Sequence, residues 1–258
     1  MAGVMRERLI DWSKYNGLTD LAKAVEAWGI IGLMARCTIG WGYFDAYYEH
    51  NFRQAQKLGL LFGAYHVLWP WNKDPLREVE HFKAHLMVDG TLPDFVVDDI
   101  ELPKPSDTAG WKKVSAKQVA QQAVVQAPAI RARTGLPTFI YTGSYWWNDP
   151  TKMGLHTPLG IESDFMLIEA EYCEQEPCGK LGWDEAPQAP RRPSIGKGWE
   201  QKDLLMWQWT NCLKPIGNGE DGIKATDGDV LIPTYEQFLV LLGKTAPPHS
   251  EAVQLERL

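Results

Sequence analysis

The sequence predicts an α/β fold, an irregular (β/α) TIM-like barrel in a single domain. Three observations predict it. Strand-like and helix-like runs alternate along the chain with short connections, the pattern of a parallel sheet. The length of 258 residues matches the roughly 250 that one closed barrel of this kind uses. No G-x-G-x-x-G and no G-x-x-x-x-G-K-[ST] follows a strand-like run, which weakens a nucleotide role. An open doubly wound sheet is the second reading of the same alternation.

The elements follow in order. RLID (8–11) is a short apolar run. TDLAKAVEAWG (19–29) places Leu21, Val25 and Trp28 on one helical face, with Thr19 as the expected N-cap. IIGLMARCT (30–38) reads as a buried strand, and YYEHNFRQAQKLG (47–59) as a helix closed by Gly59. LLFGAYH (60–66) is a strand, PLREVEHFKAHLMVDG (75–90) a helix with a Gly stop, and DFVVDDIEL (94–102) a strand. The next helix (115–134) opens on Ser115 and Gln118, the spacing of a capping box. LPTFIYTG (136–143), DFMLIEAEY (164–172) and DLLMWQWT (203–210) are strands. TYEQFLVLLG (234–243) is a closing helix, with Thr234 and Gln237 in the same capping spacing. Residues 173–202 form a Pro-rich excursion. The expected division is a catalytic barrel over 1–245 and a tail over 246–258.

Composition excludes several classes. Lys and Arg number 26 against 33 Asp and Glu, a net charge of −7, so electrostatic docking on nucleic acid or anionic lipid is not expected. No run approaches the roughly 18–20 apolar residues of a membrane span. The N-terminus, MAGVMRERLIDW, has no apolar signal core, so synthesis without a signal peptide is expected. The four cysteines, Cys37, Cys173, Cys178 and Cys212, then read as free thiols, with pairing of Cys173 and Cys178 as the alternative outside the cell. The 12 Trp exceed what a core needs and hint at a flat ligand.

Chemistry in a barrel sits at the C-terminal ends of the strands. Asp11, Tyr65, His66, Asp98, Asp99, Glu101, Trp207, Gln208 and Trp209 fall at or near such ends, and Asp227 and Asp229 precede the last helix. Asp99 and Glu101 are the sharpest feature. Side chains two apart on a strand share a face, about 6.6 Å apart along the backbone, and Asp98 takes the other face. Two carboxyls at that range raise one another's proton affinity, so one can hold a proton near neutral pH. A protonated acid beside an ionised one is what glycosidic cleavage requires. The bland alternative is a solvated strand end, which the apolar Phe95, Val96, Val97 and Ile100 around the acids disfavour. A Mg²⁺ site formed by Asp11, Asp99, Glu101 and Asp227 is a second reading. No phosphate-binding loop or zinc-type His pair supports it, so no metal and no cofactor are expected.

These residues, in their order and spacing, resemble glycoside hydrolase family 25, the Chalaropsis-type lysozymes, many of them phage endolysins. LIDWSKYNG resembles the family's opening D-x-S-x-x-Q-G through Asp11, Ser13 and Gly17, with Asn16 in place of Gln. Asp45, Asn51, Ala55, Gly59 and Gly63-Ala64-Tyr65-His66 match the D…N…A…G…GAYH stretch. Asp99 and Glu101 match the D-x-E strand, Tyr141 a later strand, Ala170 and Tyr172 the W-x-A-x-Y segment, and Trp207, Gln208 and Thr210 the W-Q-Y-T segment. Asp227 aligns with the family's last aspartate and Asp229 with its Asn. The resemblance spans about residues 8–243.

The resemblance implies a lysozyme acting on the β-1,4 bond between N-acetylmuramic acid and N-acetylglucosamine. Glu101 would be the general acid, Asp99 the partner that orients or stabilises the reacting sugar, and Asp11 and Asp227 the groove acids. It implies peptidoglycan glycan strands as the partner, a monomer, and action on the cell wall after release from a host cytoplasm. A binder that docks on the wall without cutting it is the alternative. Ile168 stands where the family has Trp, and Gly228 and Asp229 leave the choice between Asp227 and Asp229 open.

Candidate substrate contacts are Tyr65, His66, Tyr141, Tyr172, Trp207, Gln208 and Trp69. His66 reads either as a proton shuttle or as a structural hydrogen-bonding residue. Trp207 and Trp209 share one side of their strand and Gln208 takes the other. Trp69, Trp71, Trp146 and Trp147 lie in barrel-end loops and are candidates for stacking on sugar rings.

Overall fold

The computed structural model describes residues 6–101, 114–148, 159–172, 183, 186, 192–211, 213 and 226–245. The element order is β1 (Arg8–Trp12), α1 (Leu21–Trp28), β2 (Gly32–Ile39), β3 (Tyr43–Phe44), α2 (Tyr48–Lys57), β4 (Leu61–Val67), α3 (Pro75–His85) and β5 (Phe95–Asp99). It continues with α4 (Ala116–Thr134), β6 (Thr138–Thr142), α5 (Ser144–Trp147), β7 (Leu167–Ala170), β8 (Leu204–Thr210), β9 (Asp227–Leu231) and α6 (Tyr235–Leu241). The tail from 246, Cys173, Cys178 and Cys212 lie outside the described residues. Cys37 is a buried free thiol.

Eight strands close on themselves in the order β1-β9-β8-β7-β6-β5-β4-β2, with β1 pairing back onto β2. The short β3 turns back against the end of β2. The barrel is therefore the architecture and the open sheet is not.

The expected all-parallel sheet needs one correction. β9, which no apolar run announces, runs antiparallel to both β8 and β1. Two smaller corrections concern helix ends. The N-cap of α1 is Asp20, whose carboxylate accepts the amide of Ala22, while Thr19 is buried beside it. α3 ends at His85 rather than at Gly90, and the chain then turns through a Val88–Thr91 bridge. The capping boxes at Ser115/Gln118 and Thr234/Gln237 are both formed.

The two faces of the strands bury different things. Inside the barrel, Leu9, Met34, Phe95, Val97, Phe139, Ile168 and Leu231 form an apolar plug, closed at one end by Phe238 of α6. The Phe95 ring lies 5.6 Å from both Phe139 and Phe238. Each such ring contributes roughly 1.5–3 kcal/mol by leaving water. Gly63 is required here, because a Cβ on it would stand 2.3 Å from the Phe95 ring. Outside the barrel, Ile10, Trp12, Phe52, Phe62, Phe82, Val96, Trp207 and Trp209 pack under the helices. Trp28 joins this layer.

Candidate active site

The plug fills one end of the barrel, and acids line the other. Asp11 (β1), Met34 (β2), Tyr65 (β4), Val97 and Asp99 (β5), Glu101, Tyr141 (β6), Ile168 (β7), Gln208 (β8) and Asp227 (β9) surround one pocket. Strand alternation explains the membership. Along β5 and just past its end, Val97, Asp99 and Glu101 face inward, while Asp98 faces α4 and accepts a 2.9 Å hydrogen bond from Gln126 Nε2. Asp227 is the direct cross-strand partner of Asp11, so their Cβ atoms are about 4.5–5.5 Å apart. Asp229 points to the same side, one pair deeper, opposite Leu9, and is fully buried. Asp227, not Asp229, is thus the acid in the pocket wall.

The electrostatics follow from crowding acids in little water. Burial lifts Asp11 to about 6, against hydrogen bonds from Gln208 and Asp227 and the nearby Arg36 charge, which pull it down. Asp227 is pushed well above the carboxylate range by burial, then by Asp11 and Asp229. The contact between them lowers Asp11 and raises Asp227. Asp99 is also raised well above its ordinary value, by burial first and then by Glu101, Asp11 and Asp98. Burial likewise keeps the Tyr65 and Tyr141 phenols protonated.

Gln208 organises this cluster. Its Oε1 accepts from Tyr141 Oη at 2.8 Å and from Tyr172 Oη at 3.1 Å, and its Nε2 donates to Asp11 Oδ2 at 2.7 Å. The amide is thereby fixed in one orientation and aims the Asp11 carboxylate. Expected as a substrate contact, Gln208 spends its oxygen and one N–H on protein partners.

Five expected contacts lie outside the pocket lining. His66 faces the helix layer and is fully buried. Its Nδ1 is 2.7 Å from Thr38 Oγ1, its Nε2 is 3.3 Å from Glu78 Oε2, and its ring packs on Phe82. A bulge that adds Cys37 to β2 turns Thr38 outward to meet it. His66 is the structural alternative of its two readings, because Tyr65, its neighbour, takes the inward face. Trp207 also faces outward, buried, with Nε1 donating to the Glu171 carbonyl at 2.7 Å. Trp147 is fully buried, edge-tilted on Trp199 at 4.7 Å, and donates to the Lys197 carbonyl. Trp69 is half-buried beside Trp71 in the loop after β4, and its backbone N–H is held by Glu78 at 3.0 Å. Tyr172 caps the Gln208 amide and is 36% exposed.

Arg36 is a site residue that motif reading passed over. It faces Tyr65, and its Nε is 2.9 Å from the Asp45 carboxylate. A lone Arg in the apolar strand IIGLMARCT is the signal that marks it. Ile168 leaves that wall of the pocket aliphatic. Among the described residues, no group of three or more His, Cys, Asp and Glu could hold a metal ion, and no helix is long and apolar enough to cross a membrane.

Comparison with known proteins gives this arrangement a context. The family model for glycosyl hydrolases family 25 matches residues 10–217. The bacterial lysozyme from Streptomyces coelicolor superposes with a TM-score of 0.69 at 20% identity, over 94% of this chain and 100% of that one. A family GH25 lysozyme from Aspergillus fumigatus gives 0.68 at 21% identity, over 92% and 99%. The catalytic domain of endolysin ply40 from bacteriophage P40 of Listeria monocytogenes gives 0.60 at 18% identity, over 94% and 100%. No curated protein sequence matches the chain. With a family model spanning most of the barrel, the chain belongs to glycosyl hydrolases family 25 and is a glycoside hydrolase of the lysozyme type.

Proposed function

We propose that this lysozyme is an N-acetylmuramidase that hydrolyses the β-1,4 bond between N-acetylmuramic acid and N-acetylglucosamine in bacterial peptidoglycan. The observation that carries the reading is the convergence of Asp99 and Glu101 with Asp11 and Asp227 on one pocket. Cleavage needs a proton for the leaving oxygen and a negative or nucleophilic group for the developing positive charge. Glu101 is the acid: its proton passes to the glycosidic oxygen as the C1–O bond breaks and the electron pair leaves with that oxygen. Asp99 stabilises the charge at C1, directly or through the substrate's acetamido carbonyl. Water then adds to C1, and its proton restores the acid.

Burial, then the Glu101 charge, raises the proton affinity of Asp99. A sugar laid over Glu101 strips water from that carboxyl and raises its proton affinity too. Substrate therefore favours the protonated form of the group that faces the leaving oxygen. Asp11, held by Gln208, and Asp227 line the groove.

The test is clearing of a peptidoglycan suspension, with mass spectrometry of the products. Wild type clears it and leaves reducing-end muramic acid, while Glu101→Gln leaves it turbid. Equal clearing by both, or products ending in reducing N-acetylglucosamine, overturns the assignment. Binding without cleavage by wild type would make the chain a wall-binding protein instead.

The setting we infer is phage-driven lysis, with the enzyme made in the host cytoplasm and acting after release. The phage endolysin domain among its structural relatives supports this. Cells with a susceptible wall that express it should stay intact until a membrane pore is co-expressed. Lysis without the pore removes that setting.

A further inference from the structure

We propose that Lys14, set over the rings of Tyr15 and Tyr43 at the rim of the acidic groove, binds a carboxylate of the peptide stem carried by muramic acid. This rests on the muramidase reading above and adds the part of the substrate that the sugar chemistry leaves out.

The position comes first. Lys14 opens the short 3-10 turn Lys14–Asn16 that follows β1, three residues after Asp11. That turn is tied to the pocket. Asn16 Nδ2 is 3.4 Å from Thr226 Oγ1, and Thr226 Oγ1 donates to the Asp11 carbonyl at 3.1 Å. On its other side, the Lys14 backbone N–H donates to Asp45 Oδ2 at 3.0 Å. Backbone contacts on both sides thus fix where the side chain starts.

The charge comes next. Asp45 is buried and its Oδ2 is paired with Arg36, at 2.9 Å from Nε and 2.8 Å from Nη2. That pairing occupies the acid that holds the turn. None of the ion pairs formed among the described residues uses the Lys14 ammonium. Instead it lies 5.3 Å from the Tyr15 ring centroid and 5.0 Å from that of Tyr43. Arg36 faces the same two rings, at 5.4 and 5.7 Å. The two ring faces, negative in their quadrupole, hold the ammonium at this corner beside the Arg36–Asp45 pair. Tyr15 is 70% exposed, so the corner opens to solvent.

The need comes last. The chain carries a net charge of −7, and its pocket is lined by Asp11, Asp99, Glu101 and Asp227. Peptide stems carry carboxylates, which such a surface repels. Screening damps exposed charges beyond about 8 Å at physiological salt, so a cation near the groove is what offsets this for an anionic stem. Among the described residues, Lys14 is a cation on the turn that leads away from Asp11.

The experiment uses soluble peptidoglycan fragments in two forms: native, and with their carboxylates converted to amides by carbodiimide and ammonia. Lys14→Gln should raise KM about three- to fivefold on native fragments and leave kcat unchanged. On amidated fragments it should match wild type, and Lys14→Arg should behave as wild type on both. The KM difference on native fragments should fade at high salt. An equal KM rise on both forms, or no rise on native fragments, overturns the assignment while wild-type turnover stands. If wild type cleaves neither form, the muramidase reading itself fails, a separate outcome.

Discussion

Asp98 and Asp99 are neighbours on β5, both are buried, and they face opposite sides of the barrel wall. Asp98 looks out into the helix layer, where burial lifts it to about 8 against the single hydrogen bond from Gln126. Asp99 looks in at Glu101 and Asp11, whose charges add to its burial. Both aspartates hold their protons more tightly than an ordinary carboxyl, for different reasons. The outer one does so because it is dry. The inner one does so because it is dry and also belongs to a group of acids that cannot all ionise together. Burial alone makes a structural acid; burial with shared protons makes a reactive set.

The difference is sharpest in turnover. Glu101→Gln should lower kcat by about 10²–10⁴, while Asp98→Asn should leave it near wild type. A comparable loss in the outer variant would erase the distinction. Next in size is stability on the outer face. Glu78 accepts from the Trp69 amide and from Asn72 Nδ2, and lies 3.3 Å from His66 Nε2. Glu78→Gln sets an amide N–H against these donors and should cost about 1–3 kcal/mol, read by urea unfolding. The loop after β4 should loosen with it.

The smallest effect is the pH slope. Burial raises Asp98 and Glu169 to about 8 from ordinary values of 3.8 and 4.5. Between those values and about pH 8 the unfolded chain has released protons that the folded one keeps. Stability therefore falls as pH rises across that window and levels off above it, by at most ~1.4 kcal/mol per pH unit per group. Asp98→Asn should flatten the slope by one group, with little change below pH 4. Urea midpoints measured at pH 5, 6, 7 and 8 decide it, and an unchanged slope refutes the buried-acid account.

Much of this is legible in the sequence. Alternation of periodic runs gives the barrel, and period two along DFVVDDIEL separates Asp98 from the Asp99–Glu101 face. Period two says which residues share a side but not which side is inside. Tyr65 with His66, and Trp207 with Gln208, are adjacent pairs of which only one member can face the pocket. One member of each pair therefore faces the helix layer. The inward side is set by packing across the barrel, such as Gln208 reaching Asp11 and His66 meeting Thr38 past a bulge. β9 was hidden for another reason. TDGDVLI has two Asp and a Gly where a strand usually shows apolar residues, and its conformation comes from the partners on either side. Arg36 shows the reverse, a charge in an apolar run that composition flags and only the fold explains.

The antiparallel run of β9 has a consequence for how such a groove can vary. Every other strand of the barrel delivers its last residues to the acidic end, but β9 delivers its first, Asp227. Thr210, ending β8, and Thr226, leading into β9, thus both stand at that end. Variation at Thr226 and Asp227 therefore enters the groove through the first residues of a strand, and leaves the buried Val230 and Leu231 farther along it in place.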